Sequence, residues 1–327
     1  MSRVVRLEIV LAAMTAALLW VSVLQSSVMA TPRLADPVPP AALRSPVAFA
    51  APALMPALTS AAVGSGRVSS GDGQARPGTV QTLHLPSADA PGGMRSVWVY
   101  RPGVPDSADL PVVYFLHGLP GSYTDLAETG LGADLDAAFT SGRLAPFVVV
   151  SPDGNSTGAS DPEWADSVDG RVGLESFVTG ELITAVEGSY RRDPEHRAIV
   201  GFSMGGFGAM NLALRHPDIY GQVVSIAGYF RIDDPSHVFG SDPATLAANS
   251  PDQQIDVAAL LRIMLTDGAN DTEPVVEGET QRFAGLLRAA GQHPAVLITP
   301  GIHNWTYVAS ALPAVEQFLE AGWAAAS

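Results

Sequence analysis

The chain has 327 residues, 47% of them apolar, with 33 acidic side chains against 18 basic ones, a formal net charge of −15 and no cysteine. This charge excludes a nucleic-acid binder, whose phosphates demand clustered cations, and electrostatic docking on an anionic membrane. The missing thiol excludes disulfides, cysteine-ligated zinc and a cysteine nucleophile, so any acyl-enzyme must form on oxygen.

Arg3 and Arg6 precede an apolar stretch over residues 9–24, and Val28-Met29-Ala30 offers a small-residue cleavage pattern, so residues 1–30 read as a secretory signal peptide. The alternative is a retained membrane anchor, but 16 residues fall short of the roughly 20 that span a bilayer. Residues 31–78 are rich in Pro, Ala, Ser and Gly without a strand or helix period and read as a linker. Residues 79–327 then form one domain, with the protein exported or held in the cell envelope.

Within that domain, residues 79–84 and 96–100 predict an antiparallel pair around Pro91-Gly92-Gly93. Residues 110–116 are an apolar run suited to a strand covered on both faces, and similar runs follow at 146–150, 198–200, 223–227, 260–265 and 295–299. Amphipathic helical patterns occupy 174–190, 204–215, 279–290 and 312–323; in the last, Leu312, Val315, Phe318, Leu319 and Trp323 share a face. The alternation predicts an α/β fold with a mostly parallel central sheet and helices on both faces.

Gly-x-Ser-x-Gly occurs twice, around Ser203 and around Ser156. Only Gly201-Phe202-Ser203-Met204-Gly205-Gly206 follows a strand and opens a helix, the context a nucleophile elbow needs. Ser156 is followed by Ala159-Ser160-Asp161-Pro162, which opens no helix. A serine needs a base, and His303, between the last strand and the last helix, stands where the order Ser, acid, His places it. His216 ends a helix before Pro217, and His293 precedes a strand at its amino end; His117 precedes the nucleophile and suits ordering of its own loop. The acid comes from Thr266-Asp267-Gly268-Ala269-Asn270-Asp271-Thr272-Glu273, where Asp271 is favoured over Asp267 and Glu273 because the turn at Gly268 lets it reach the His loop. Met204 N–H and Leu119 N–H are the candidate oxyanion donors, Pro120 having none.

Taken together, residues 110–121, Glu175-Ser176-Phe177 with Glu181-Leu182, the Ser203 motif, Arg215-His216-Pro217 and Gly301-Ile302-His303-Asn304-Trp305 resemble the esterase D and antigen 85-type mycolyltransferase branch of the α/β-hydrolases over about residues 79–325. The resemblance implies an α/β-hydrolase fold, an acyl-enzyme on Ser203, an oxyanion hole at Leu119 and Met204, and water or a sugar hydroxyl as acceptor. Asp271 matches the Gly-x-x-Asp position of the esterase members. The mycolyltransferases carry Asp where this chain has His117, and Glu as the acid, which tilts the expectation toward hydrolysis.

The leading expectation is a secreted serine carboxylesterase acting on a small-molecule, lipid or carbohydrate ester. The alternatives are an acyltransferase to a carbohydrate hydroxyl and a non-catalytic binding protein on the same scaffold. Trp164, Phe230, Phe239 and Trp305 are candidates to line an acyl or aryl pocket, or to serve as core. No cofactor is implied; residues 153–161 and 271–279 lack calcium-loop spacing, so no metal is expected either.

Overall fold

The computed structural model describes residues 76–104, 109–189, 191–232 and 238–326. The signal peptide and nearly all of the linker read from the sequence lie outside these residues. The last three linker positions, 76–78, instead open the first strand.

Among the described residues, eight strands form one sheet: β1 (Arg76–Pro86), β2 (Met94–Gly103), β3 (Val112–Leu116), β4 (Val148–Pro152), β5 (Arg197–Phe202), β6 (Gln222–Ile226), β7 (Arg262–Gly268) and β8 (Ala295–Thr299). Their spatial order is β1-β2-β4-β3-β5-β6-β7-β8. β2 pairs antiparallel with both β1 and β4, and every other pairing is parallel, so β2 alone runs against the rest. A parallel strand needs a crossover, and here the crossovers carry the helices that cover the sheet. The mostly parallel sheet with helices on both faces is the architecture read from the sequence.

The alternation of side chains assigns the two faces. Val112, Tyr114 and Leu116 of β3 enter one core with Val148, Val150, Ile199, Val223 and Leu265. Val113 and Phe115 enter the other with Val149, Val200, Val224 and Met264. The first core is closed by α3 (Leu174–Ser176, a π turn at Phe177–Glu181, then Leu182–Glu187), by α4 (Met204–Arg215) and by α6 (Glu279–Ala289). The second is closed by α1 (Asp125–Glu128), α2 (Leu131–Thr140) and α7 (Trp305–Ala326). A short helix, α5 (Pro243–Ala248), is capped by the Asp242 carboxylate, which accepts from Thr245 N–H.

Two boundaries differ from the sequence reading in ways that bear on function. β7 runs on to Gly268, so Asp267 belongs to the strand and not to the loop after it. α7 begins at Trp305 because Asn304 caps it, its side-chain oxygen accepting from Tyr307 N–H at 2.9 Å, and the helix runs on through Pro313. Among the described residues no helix is long and apolar enough to cross a membrane.

A buried ionic anchor holds the sheet end remote from the Ser203 turn. Glu187 accepts from Arg197 Nε at 2.8 Å and Nη2 at 2.9 Å, from Arg192 N–H at 2.9 Å and from Tyr114 O–H at 2.8 Å. Burial pushes the Glu187 carboxyl up, but these donors, Arg197 first, hold it below its ordinary range. The anchor ties β3 and β5 to α3, and β5 carries the nucleophile candidate at its other end.

Candidate active site

Ser203 sits between β5 and α4 with φ 57° and ψ −120°, a conformation that L residues rarely adopt. The neighbouring glycines make this turn possible. A Cβ on Gly201 would lie 2.0 Å from the Gly205 carbonyl oxygen, and one on Gly205 would lie 2.0 Å from the Leu116 carbonyl oxygen. One on Gly206 would lie 2.8 Å from Ser225 Oγ. The turn is held from the side as well, since Ser203 N–H donates to Ile226 O at 3.0 Å.

His303 reaches the same sheet edge from the loop after β8. Its Nε2 lies 2.8 Å from Ser203 Oγ and its Nδ1 lies 2.7 Å from Asp271 Oδ2, a continuous chain of hydrogen bonds through three side chains. Gly301 gives the His loop its path, because a Cβ there would meet the Tyr307 ring at 2.4 Å. The acid loop is stitched alongside: Ala269 N–H donates to Thr299 O at 2.8 Å and Asn270 N–H to Gly301 O at 2.9 Å. A tight turn, Asp271 N–H to Gly268 O at 3.0 Å, then aims Asp271 at His303. Glu273, the weakest of the three acid candidates, is exposed and contributes only its N–H, which donates to Asp271 Oδ1 at 2.9 Å.

Asp267 does not contact the imidazole through a hydrogen bond, yet it is only 3% exposed. Burial first, and the Asp271 charge second, push its carboxyl up to about 6.

The loop from His117 to Gly121 approaches the nucleophile from β3. A Cβ on Gly118 would lie 3.1 Å from Ser203 Cβ, and the Leu119–Pro120 peptide is cis. His117 organises this loop, as the sequence implied: Nδ1–H donates to Gly118 O at 2.7 Å, leaving Nε2 to accept from Gly154 N–H at 2.8 Å. Met204 is the first residue of α4, where a backbone N–H has no intrahelical acceptor.

The other candidates lie elsewhere. Ser156 donates to Asp89 O and accepts from Gly158 N–H, serving its own turn. His216 pairs with Glu175 at 2.7 Å, and His293 lies beside the amino end of β8. Trp164, Phe230 and Phe239 are fully buried and pack as core. Trp305 is half-buried against Phe202 and Phe115. Sequence reasoning missed Phe202, whose ring lies 4.8 Å from that of His303; its place inside the elbow was the available signal. A cleft of about 630 Å³ opens beside Trp305 and Pro120, with Asp125, Glu128 and Thr306 in its wall.

The fold, the elbow and the Ser203–His303–Asp271 chain define the architecture of a serine-type α/β-hydrolase. The chain belongs to the "Putative esterase" family, whose model matches residues 88–319. It is 34% identical to the putative esterase NocK of Nocardia uniformis subsp. tsuyamanensis, over 44% of this chain and 43% of that protein's length. It is 28% identical to the diacylglycerol acyltransferase/mycolyltransferase Ag85A of Mycobacterium leprae, over 81% of this chain and 91% of that one. Among solved structures, a ferulic acid esterase superposes with TM-score 0.63 at 26% identity, covering 75% of this chain and 98% of its own. The serine hydrolase FphF of Staphylococcus aureus shares the fold at 17% identity and TM-score 0.61, over 75% of this chain and 99% of its own.

Proposed function

We propose that the chain is an exported carboxylic ester hydrolase that works through an acyl-enzyme on Ser203. The observation that carries this reading is the unbroken relay from Ser203 Oγ through His303 to Asp271. In it, His303 Nε2 takes the Ser203 proton as Oγ attacks the ester carbonyl, and Asp271 holds the Nδ1–H tautomer and stabilises the imidazolium. The protonated His303 then delivers its proton to the departing alcohol. Met204 and Leu119 N–H groups receive the carbonyl oxygen as it gains charge, each donor contributing a few kcal/mol. Water, activated by the same His303, attacks the acyl-enzyme and releases the acid.

Two surface features narrow the substrate. The side chains of Leu119, itself an oxyanion donor, and of Ile302, beside His303, remain exposed at 40% and 55% and offer apolar surface to an acyl chain. The neighbouring cleft has Asp125 and Glu128 in its wall and no basic side chain, which suits a neutral alcohol and disfavours an anionic leaving group such as a glutathione thiol. Similarity to Ag85A over most of the chain supports a second reading, transfer of the acyl group to a carbohydrate hydroxyl.

The test is turnover of p-nitrophenyl esters of graded chain length by the purified protein and its Ser203→Ala variant, with and without trehalose or glycerol. Release of free acid that depends on Ser203 supports the hydrolase. Acylated sugar as the dominant product would replace it with the transferase, and no turnover of any ester would remove both.

A further inference from the structure

We propose that Asp267 is a positioning residue for the reaction: a second ionisable carboxyl behind the His303–Asp271 pair that sets how readily His303 takes a proton. The inference rests on His303 acting as the base.

Three observations carry it. Asp267 occupies the penultimate position of β7, paired in register with Ile298 of β8, so its backbone is fixed by the sheet and its side chain cannot swing out to water. It is 3% exposed, and its Oδ1 meets no hydrogen-bond donor, an unusual state for a buried carboxyl oxygen. It also lies within electrostatic reach of Asp271 and His303, the two groups of the relay that handle charge. The Gly268 backbone N–H donates to the carboxyl, yet a carboxyl kept only for packing has no reason to stand beside another carboxylate, where an apolar or amide side chain would be better accommodated.

The titratable groups that act on it are Asp271 from the loop after β7, His303 from the loop after β8, and Tyr307 from α7, whose hydroxyl lies 2.6 Å from Thr266 Oγ1. No cation other than a protonated His303 is among them. With Asp267 protonated, its O–H can donate to Asp271, and one negative charge stands behind the imidazole. With Asp267 ionised, two do. The second charge stabilises the imidazolium that forms during acyl transfer.

The experiment is the pH profile of kcat/KM for ester hydrolysis by wild type and Asp267→Asn, which keeps the shape and removes the charge. The acid limb should move down by roughly one pH unit and the alkaline plateau should fall roughly three- to tenfold. A purely structural role would lower the rate at every pH without moving the limb. Superimposable limbs, or an upward shift, would overturn the proposal. A second measurement does not need turnover: in Ser203→Ala protein, the His303 ring resonance followed by NMR should show an additional inflection from Asp267 that Asp267→Asn removes. One identical inflection in both proteins would equally overturn it. If wild type hydrolyses no ester, the esterase reading fails on that result alone, while the resonance still decides the role of Asp267.

Discussion

Ser203 holds φ 57° and ψ −120°, and this strain has a measurable price in stability. Residues in such regions cost on the order of 1–3 kcal/mol, whereas glycine enters them without a Cβ penalty but loses roughly 0.5–1 kcal/mol through the freedom of its unfolded chain. Ser203→Gly and Ser203→Ala both delete the hydroxyl and its hydrogen bond to His303, so their difference isolates the backbone. Subtraction leaves Ser203→Gly more stable than Ser203→Ala by about 1 kcal/mol. For a domain of roughly 250 residues that corresponds to 2–4 °C in Tm. Equilibrium urea unfolding of the two variants reads it directly, and both should be inactive toward esters. If Ser203→Gly proves equal to or less stable than Ser203→Ala, the elbow is not strained and the account of why glycines surround it fails.

Other substitutions test the supporting structure. Gly205→Ala drives a Cβ to 2.0 Å from the Leu116 carbonyl oxygen, a backbone atom that cannot yield, so kcat/KM should fall about 100-fold or more as the elbow shifts. Asp271→Asn removes the carboxylate that fixes the His303 tautomer and should lower kcat by about 10⁴-fold in steady-state assays. Glu187→Gln leaves the Arg197 guanidinium buried without its counter-charge and should destabilise by about 3–5 kcal/mol in urea unfolding. The stability of Asp267→Asn against pH has a definite sign. A carboxyl raised in the folded state to about 6 contributes stability that is full below its unfolded value near ~4 and is lost as pH rises through about 6. The variant should therefore unfold at higher urea than wild type above pH 6, by on the order of 2 kcal/mol, and match it below pH 4.

Much of this was legible in the sequence because the signals were local. The unbroken apolar runs marked strands covered on both faces, and β8 and α4 fall where the pattern put them. The glycines around Ser203 announced a turn that only close backbone packing requires. What was hidden depended on tertiary context. α2 carries Gly132 and an irregular apolar spacing, and only docking of Leu131 and Leu135 on the second core reveals it. The first turns of α7 were obscured by Pro313 and depend on the Asn304 cap. The extension of β7 to Gly268 comes from pairing with β8, Gly268 standing opposite Thr299, and it moves Asp267 from a loop into the buried edge of the site. The aromatic residues offered as pocket lining show the same limit, since Phe230 stacks on Phe283, a partner 53 positions away that composition cannot supply.

The most direct test of the central claim is covalent labelling of the purified protein by a fluorophosphonate, followed by mass spectrometry of its peptides. The adduct should fall on Ser203, disappear in Ser203→Ala, and form far more slowly in His303→Ala because the hydroxyl then lacks its base. An adduct on Ser156, or no adduct under conditions that label a control esterase, would contradict the assignment of Ser203 as the nucleophile.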